Sequence, residues 1–233
     1  MSRREKVIGT VADALPQPED RPVLIAIDGP DASGKTTLRR ELAALLRKRG
    51  RDVVEASMDD FHHQADHRYR QGRTSARGFW EDSFDHEAFI AKVLDPLGPD
   101  GDRVVSLRHH DLESDALIEG VPEFSVGDDV TLLADGLFMQ HPGLADRWDA
   151  VVWVEAPYSV RFDRMVERDG LPRDPEDPLQ RRYFDGQLIY RSEVGPRERA
   201  LVILDNTDPA RPRLLPRAGD QDVPRTALGL RGA

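Results

Sequence analysis

A loop with two glycines joins a continuous apolar run to a helical pattern, and this junction constrains the fold more than any other feature. Residues 23–27 are all apolar, as in a strand that is buried on both faces of a sheet. The loop covers residues 29–36, and leucines at helical spacing follow it as far as a stop at Gly50. A buried strand that leads through a short loop into a helix is typical of a parallel α/β sheet.

The loop, Gly-Pro-Asp-Ala-Ser-Gly-Lys-Thr, matches the spacing G-x-x-x-x-G-K-[ST] at every fixed position. Glycines let the backbone curl until successive N–H groups point at phosphate oxygens, and the following helix adds the positive end of its dipole. Lys35 is predicted to reach the outer phosphates, and the Thr36 hydroxyl is predicted to bind Mg²⁺. The sequence therefore predicts a P-loop that binds ATP and Mg²⁺ through Gly29, Asp31, Ala32, Ser33, Gly34, Lys35, Thr36 and Thr37.

Strand and helix patterns alternate along the rest of the chain. Further strands are predicted at residues 52–57, 104–107, 116–118, 130–134, 151–154 and 200–204. Helices are predicted at residues 5–15, 35–50, 87–94, 159–168 and 179–193, whereas residues 59–84 show no regular pattern. We expect one α/β domain of the P-loop NTPase fold over residues 1–208, with helices on both faces of a parallel five-stranded sheet. A small lid at about residues 161–178 and a flexible tail over residues 209–233 complete this prediction.

Composition excludes several classes of function. The 233 residues carry a formal net charge of -10, which repels a polyanion, so nucleic acid is not an expected partner. The chain has no cysteine, which removes disulfides, thiolate zinc sites and thiol nucleophiles. No apolar run is long enough to span a bilayer, and the N-terminus lacks an apolar segment of signal-peptide length. We therefore expect a cytoplasmic protein with no membrane partner.

The absence of a guanine-reading motif narrows the class of P-loop protein. Asn206 is the only asparagine and Thr207 follows it, so the chain lacks the Asn-Lys-x-Asp motif of G domains. A motor or transporter ATPase would need a longer chain or partner subunits. The remaining class phosphorylates small molecules, which makes a small-molecule substrate the expected partner.

Residues 57–62, Ser-Met-Asp-Asp-Phe-His, carry a family resemblance. They follow the second predicted strand and resemble the Asp-x-Phe-Tyr/His segment of the uridine kinase and phosphoribulokinase family. In that family the first aspartate of the segment is the catalytic base, a position that corresponds to Asp59. A carboxylate beside the phosphate loop can orient an acceptor hydroxyl and take its proton. A solvated turn is the alternative interpretation of Asp59 and Asp60.

The resemblance extends over about residues 23–208. Residues 84–89 resemble the family's Phe-Asp-His-Pro-x-Ala-Phe stretch near the acceptor site, with Glu87 in place of the proline. Asp135 matches an acidic residue that follows a buried strand, and it implies a second carboxylate at the metal. The implied metal site consists of Thr36, Asp59 and Asp135. The family's closing Lys-Pro and Pro-Thr-Lys signatures are not reproduced, which weakens the assignment to uridine itself.

Three arginines, Arg161, Arg164 and Arg168, lie on one face of a predicted helix. They match the Arg-x-x-Arg-x-x-x-Arg-Asp run that opens the family's lid. This match implies that they act with Lys35 as catalytic residues, by stabilising the charge of the transferring phosphoryl group. The alternative is a solvated face paired with acidic neighbours. Asn206 corresponds to the place where kinases of this shape hold the adenine, and a plain turn is equally compatible.

The acceptor pocket is expected in the irregular segments near the catalytic base. Its predicted residues are Asp59, His62, Tyr69, Arg73, Trp80, Asp85, His86 and His110. Aromatic rings there would stack on a base, and His or Asp would bind hydroxyls, whereas core packing is the alternative role of Trp80. The resemblance implies uridine or cytidine as the acceptor. Pantothenate, glycerate and sugar phosphates remain open, since Arg70 and Arg73 would suit an acidic one.

Two other functions remain open. One is a nucleotide-binding regulatory module without phosphoryl transfer, and the other is a nucleic-acid-dependent ATPase, which the acidic charge disfavours. His63 and His67 are four apart and would allow metal chelation, but no third ligand with clear spacing follows. Self-association into a homo-oligomer is also compatible with the resemblance.

Overall fold

The computed structural model describes residues 1–217, and a six-stranded sheet lies at its centre. The strands in chain order are β1 (Val23–Asp28), β2 (Val53–Ser57), β3 (Val104–Val105), β4 (His110–Asp111), β5 (Ala116–Leu117), β6 (Phe124–Ser125), β7 (Thr131–Asp135), β8 (Ala150–Glu155), β9 (Val202–Asp205) and β10 (Arg213–Leu215). The order in the large sheet is β10-β9-β8-β1-β7-β2, and all neighbours run parallel except β10 and β9. The predicted α/β class is confirmed, but the sheet has six strands rather than five.

The sixth strand lies in the segment that the sequence predicted to be a flexible tail. Arg213 and Leu215 pair antiparallel with Asp205 and Ile203 of β9. The Arg213 guanidinium also contacts the Asp205 carboxylate at 2.6 Å. The expectation of a flexible tail from residue 209 is therefore wrong for β10. This strand pairs with the backbone N–H and C=O groups at the edge of β9. The rest of the predicted tail, residues 218–233, lies outside the described residues.

Helices cover both faces of the sheet. The α-helices are α1 (Arg3–Ala14), α2 (Lys35–Lys48), α3 (Ala65–Arg68), α4 (Ala76–Asp82), α5 (His86–Phe89), α6 (Tyr158–Asp169), α7 (Pro178–Val194) and α8 (Pro196–Arg199). Short 3₁₀ helices span Met58–Phe61 and Ala145–Arg147, and a π-helix spans Ile90–Leu94. Within residues 1–217, no helix has the length and apolarity needed to cross a membrane.

Alternate residues of β1 pack into two separate hydrophobic cores. Ile25 and Ile27 pack on one face against the cluster that contains Leu38 and Leu42 of α2. Leu24 and Ala26 belong to the cluster on the other face. This burial on both sides explains why residues 23–27 are continuously apolar in sequence.

The parallel strands bring several functional side chains to one edge of the sheet. In the register of β1 with β7, Ile27 lies beside Asp135, and in the register of β2 with β7, Ser57 lies beside the same aspartate. The segments that leave β1 and β2 contain the phosphate loop and Asp59. Because ligands of open parallel sheets bind at the carboxyl ends of the strands, this edge is the place to look for the active site.

The segment predicted to be irregular, residues 59–84, contains short helices that pack on α7. Phe79 of α4 meets the Tyr183 ring of α7 edge to face, with 4.9 Å between centroids. Gly186 of α7 permits this approach, since a Cβ at that position would lie 2.6 Å from the Phe79 ring. The helices are short and depend on tertiary contacts, which is why no clear period marks them in sequence.

Candidate active site

The phosphate loop begins at the end of β1 and folds tightly around two glycines in the left-handed region. Gly29 has φ +149° and Gly34 has φ +99°. A Cβ on Gly29 would lie 2.1 Å from the Val154 carbonyl oxygen, and one on Gly34 would lie 2.3 Å from Asn206 Nδ2. The loop therefore needs glycine at both positions, for its backbone angles and for its close packing.

Asp28, the last residue of β1, is a buried carboxylate that holds the start of the loop. Its oxygens accept hydrogen bonds from Gly29 N at 2.7 Å, from Gln140 Nε2 at 3.0 Å and from the Tyr190 hydroxyl. Burial raises the pKa of Asp28. Burial also raises the pKa of Tyr190, and the negative charge of Asp28 beside it adds to that effect. Because Gln140 and Tyr190 come from distant segments, the position of the loop depends on the whole fold.

Lys35 lies in the first turn of α2 and folds back onto the loop. Its side-chain ammonium donates to Gly29 O and to Pro30 O, each at 2.9 Å. Burial lowers the pKa of Lys35, and the surrounding carboxylates, Asp31 first among them, oppose that effect. The ammonium thus lies inside the loop, where the oxygens of a phosphate can replace the two carbonyls as its acceptors.

Thr36 and Asp135 meet beside the loop, at the position predicted for Mg²⁺. The Thr36 hydroxyl donates to Asp135 Oδ2 at 2.5 Å. Arg39, one turn further along α2, pairs with the other oxygen of Asp135 and donates to Ala56 O at 2.9 Å. Hydroxyl and carboxylate oxygens are ligands that Mg²⁺ prefers. The two residues therefore fit an ion that is bound together with nucleotide phosphates.

A cleft of about 460 Å³ brings the predicted donor and acceptor residues together. Lys35 and Thr36 of the loop line it together with Asp59 and His62. The complete lining consists of Asp31, Ala32, Gly34, Lys35, Thr36, Thr37, Asp59, His62, Phe79, Phe84, Leu112, Asp135, Leu137, Met165, Arg168, Asp169 and Tyr183. The predicted base, lysine and metal-site residues thus share one cleft, as transfer from a bound nucleotide to an acceptor requires.

His62 is held at the wall of this cleft by its backbone neighbour and by a ring contact. Its Nδ1 lies 2.9 Å from Asp59 O, and its ring packs 4.5 Å from Phe84. Burial lowers the pKa of His62. The negative charge of Asp59 acts in the opposite direction, but the effect of burial is larger. A neutral imidazole has one donor and one acceptor nitrogen, so His62 can hydrogen-bond a hydroxyl of an acceptor.

The three arginines of α6 that the sequence assigned to a lid have different partners. Arg161 is buried and donates to Ala156 O and Asp31 O, at 3.1 and 3.4 Å. Arg164 donates to Ala32 O at 3.1 Å and also holds the segment after β9. Arg168 alone of the three lines the 460 Å³ cleft, where it pairs with Asp169 at 2.6 Å. Two arginines therefore contact the phosphate loop through its carbonyls, and one side chain reaches the cleft.

A second cavity, of about 340 Å³, also borders Gly34 and reaches the segment after β9. Its lining residues are Arg4, Ala32, Gly34, Thr37, Arg164, Glu167, Arg168, Asn206 and Pro209. The Asn206 amide donates to Ser33 O at 2.7 Å and accepts from Arg4 at 3.1 Å. Asn206, the residue predicted to lie at the adenine, borders this cavity, and both ends of its amide already have partners in the protein.

The predicted acceptor residues that do not line the 460 Å³ cleft are Tyr69, Arg73, Trp80, Asp85, His86 and His110. Trp80 is 5% exposed and its indole donates to Glu193 at 3.0 Å, so it belongs to the core. The Arg73 guanidinium stacks on the Tyr69 ring at 4.5 Å. Asp85 caps α5 by accepting from Ala88 N at 2.8 Å. In each case, a local contact occupies the side chain.

The two remaining predicted histidines also have structural contacts. His110 is 1% exposed, and its Nε2 lies 3.1 Å from Asp115 Oδ1. The His86 ring stacks on His141 with 4.2 Å between centroids. Burial, together with the neighbouring His141, lowers the pKa of His86 to about 3. His86 is thus a neutral packing residue at physiological pH.

This half-buried histidine makes stability depend on pH. Because the folded pKa of His86 lies below its unfolded value, the unfolded chain binds the proton more tightly, and stability falls as pH falls below about 6.5. We expect the free energy of unfolding to drop by about 1–2 kcal/mol between pH 7 and pH 5 through this group. Urea unfolding at both pH values measures the total drop, and His86→Gln should reduce that total by the contribution of His86. His67→Gln, on the half-exposed helix α3, is the control, and an equal drop in both variants would contradict this assignment.

His63 and His67, which the sequence offered as metal ligands, stack on each other with 3.8 Å between ring centroids. Across residues 1–217, no group of three or more His, Cys, Asp or Glu side chains comes together as metal ligands. The oxygen pair of Thr36 and Asp135 therefore remains the best metal position in this part of the chain.

Sequence reasoning missed the functional face of α7. Gln187 donates to the Asp31 carboxylate of the loop at 3.2 Å, Tyr190 donates to Asp28, and Tyr183 lines the cleft. These three residues are four and three apart, so they lie on one side of the helix. Their spacing in the sequence indicates a shared helix face, but nothing in the sequence shows which element that face contacts.

No protein-family model matches the chain. An uncharacterised kinase of Schizosaccharomyces pombe is 38% identical over 65 residues, which is 27% of this chain and 24% of that protein. The dephospho-CoA kinase of Deinococcus radiodurans is 29% identical over 206 residues, 83% of this chain and 88% of the relative. A uridine kinase of Leuconostoc citreum is 24% identical over 150 residues, 64% of this chain and 69% of the relative.

Solved structures share the fold. A candidate uridine kinase from Bacillus stearothermophilus is 22% identical with a TM-score of 0.65, covering 86% of this chain and 96% of its own. A candidate fructose transport system kinase from Silicibacter sp. TM1040 is 25% identical with a TM-score of 0.61, covering 82% and 93%. These comparisons confirm the resemblance to uridine kinase-like P-loop kinases and support a small-molecule kinase that uses ATP and a divalent metal.

Proposed function

We propose that this chain, a P-loop kinase of uridine kinase-like fold, transfers the γ-phosphoryl group of ATP to a hydroxyl of an uncharged small molecule of the nucleoside class. One observation carries the proposal: Lys35, Thr36, Asp59 and Asp135 line a single cleft. A phosphate-binding lysine and a carboxylate base in one cleft are the parts that transfer to a hydroxyl needs.

The donor half of the cleft is the phosphate loop. The backbone N–H groups of residues 31–36 and the Lys35 ammonium would hold the phosphates, and Thr36 with Asp135 would hold Mg²⁺. Bound Mg²⁺ neutralises part of the phosphate charge. Arg168 lies in the same cleft, where its guanidinium can leave Asp169 and pair with the transferring group.

Asp59 is the proposed base. It lies in the 3₁₀ helix Met58–Phe61 that follows β2, it is exposed, and it lines the same cleft as the phosphate loop. Its carboxylate can accept a hydrogen bond from the acceptor hydroxyl, orient the oxygen towards the phosphoryl group and take the proton as the bond forms. His62 beside it can bind a second hydroxyl of the acceptor.

The charge of the lining favours an uncharged acceptor. The cations that line the cleft are Lys35 and Arg168, and both are assigned to the phosphates of the donor. Arg70, which would suit an acidic acceptor, is instead paired with the buried Asp82 at 2.5 Å, and Arg73 stacks on Tyr69. An anionic acceptor would therefore meet carboxylates without a matching cation.

The shape of the acceptor half favours a ring. Its apolar lining includes the aromatic side chains Phe79, Phe84 and Tyr183, to which Leu112 and Leu137 add aliphatic surface. Flat apolar surface next to hydroxyl-binding groups suits a nucleobase joined to a sugar. Uridine and cytidine are the leading candidates, in keeping with the name of the Leuconostoc citreum relative.

The test is an ATP-consumption screen of the full chain with Mg²⁺. The acceptors are uridine, cytidine, other nucleosides, pantothenate, glycerate, sugar phosphates and, because of the Deinococcus radiodurans relative, dephospho-CoA. We expect turnover with a nucleoside that disappears in Lys35→Ala. Turnover with only an anionic acceptor would overturn the acceptor class while keeping the kinase. ATP binding with no turnover on any acceptor would instead favour a regulatory module.

A further inference from the structure

The N-terminal helix α1 precedes residues 23–208, which carry the motifs of the family resemblance, and it reaches the second cavity. Arg4 of α1 lines the 340 Å³ cavity beside Gly34 and Thr37 of the phosphate-loop region. Its side chain is 15% exposed, which is low for an arginine on a terminal helix. The Arg4 side chain is therefore largely buried, whereas most charged side chains on terminal helices are solvated.

Edge-on hydrogen bonds hold the Arg4 guanidinium in place. Nε and Nη2 bind both oxygens of Glu41 on α2, at 2.7 and 2.5 Å. Nη1 donates to Asn206 Oδ1 at 3.1 Å and to Pro209 O at 2.8 Å. Four of the five N–H donors of the guanidinium thus have partners, and they lie in the plane of the group. The part left for a ligand is its flat face.

Arg164 of α6 binds the same segment from another helix. It donates to Asn206 O at 3.1 Å, to Thr207 O at 3.0 Å and to Ala32 O of the phosphate loop at 3.1 Å. Asn206 also donates to Ser33 O. The cavity is therefore bordered by two fixed guanidinium groups and by backbone that is tied to the phosphate loop.

We propose that Arg4 binds the purine base of the donor nucleotide by stacking its guanidinium face on the ring, so that α1 is part of the donor site. The cavity adjoins the loop that holds the phosphates, and its volume of about 340 Å³ accommodates a base with its ribose. Planar guanidinium groups stack well on aromatic rings, and arginine does this better than lysine. Because the amide of Asn206 is occupied, base binding here depends on stacking more than on hydrogen bonds to that side chain.

The inference rests on the proposed function, since it needs the phosphate loop to bind a nucleotide. The test measures the Kd of ATP and of inorganic tripolyphosphate by calorimetry for the full chain, Arg4→Ala and Arg4→Lys. We expect ATP to bind about tenfold more weakly in both variants, as the loss of a partly desolvated cation–π contact predicts, while tripolyphosphate binding is unchanged. In turnover assays the KM for ATP should rise with little change in kcat.

Arg49→Ala is the matched control. Arg49 also joins α1 to α2, through Asp13 at 2.8 Å, but it does not line the 340 Å³ cavity. It should leave ATP binding unchanged. Equal weakening of ATP and tripolyphosphate in Arg4→Ala would overturn the proposal, because Arg4 would then act by positioning the phosphate loop. Unchanged ATP binding in Arg4→Ala would also overturn it. If Lys35→Ala itself leaves ATP binding unchanged, the donor site and the proposed function fail with it.

Discussion

Replacing Asp59 with asparagine is expected to lower kcat by about 10²–10⁴-fold, with less than about a threefold change in the Kd of ATP. Asparagine preserves the size of the side chain and can still hydrogen-bond a hydroxyl, but it cannot take a proton at neutral pH. Asp59 lies in the cleft with Lys35 but outside the loop that holds the phosphates. The loss should therefore appear in transfer and not in nucleotide binding. Steady-state kinetics with the acceptor found in the screen, combined with calorimetry of ATP binding, separates the two quantities.

Asp60→Asn is the matched control for this variant. Asp60 is the next residue, it is half-buried, and it pairs with Arg108 at 3.3 Å without lining the cleft. Burial raises the pKa of Asp60, so removing its charge should cost little stability. We expect kcat within about threefold of the original chain, as for surface substitutions away from a reacting group. Retained transfer in Asp59→Asn, or an equal loss in both variants, would remove Asp59 from the role of base.

Replacing Gly29 with alanine is expected to disrupt the phosphate loop. The added Cβ would lie 2.1 Å from the Val154 carbonyl oxygen, and the φ of +149° disfavours any L side chain. Backbone of this kind costs about 1–3 kcal/mol in a residue other than glycine. Because Gly29 N also donates to the buried Asp28, a shift of the loop would break that hydrogen bond. We expect a lower midpoint of urea unfolding and ATP binding that is weaker by tenfold or more.

Gly9→Ala is the control that separates this effect from the addition of a methyl group in general. Gly9 lies inside α1, and a Cβ there would have no atom within 4 Å. Alanine in a helix is favoured over glycine by about 0.5–1 kcal/mol, so Gly9→Ala should raise stability slightly and leave ATP binding unchanged. Normal stability and ATP binding in Gly29→Ala would show that the loop tolerates the methyl group, contrary to the observed geometry.

The sequence predicted those parts of the site that are local in the chain. The phosphate loop was predictable because its strand, glycines, lysine and helix are consecutive residues. Asp135 was predictable from the family resemblance, since the buried strand and the acidic residue and glycine that follow it are also consecutive in the chain. The sixth strand was not predicted, because the segment around β10 is rich in proline and arginine and only pairing with β9 orders it.

The parts that could not be predicted depend on contacts between distant residues. Tyr190 and Asp28 are separated by 162 residues, and Arg4 and Asn206 by 202. In residues 59–86 the direction of each side chain is set by packing and not by a regular period. This explains why Trp80 was assigned to the acceptor pocket although it belongs to the core.

Strand β10 also covers an edge of the sheet on which another chain could otherwise add a strand. All four residues of β9 are buried, and without β10 this apolar strand would be the edge of the sheet, with unpaired N–H and C=O groups. Such an edge is a template on which another chain can add a strand and aggregate. β10 is shorter, partly exposed, and carries the charged Arg213, features that discourage further strand addition. β10 therefore shields this edge from strand-to-strand aggregation, although it contributes no strand to the parallel core.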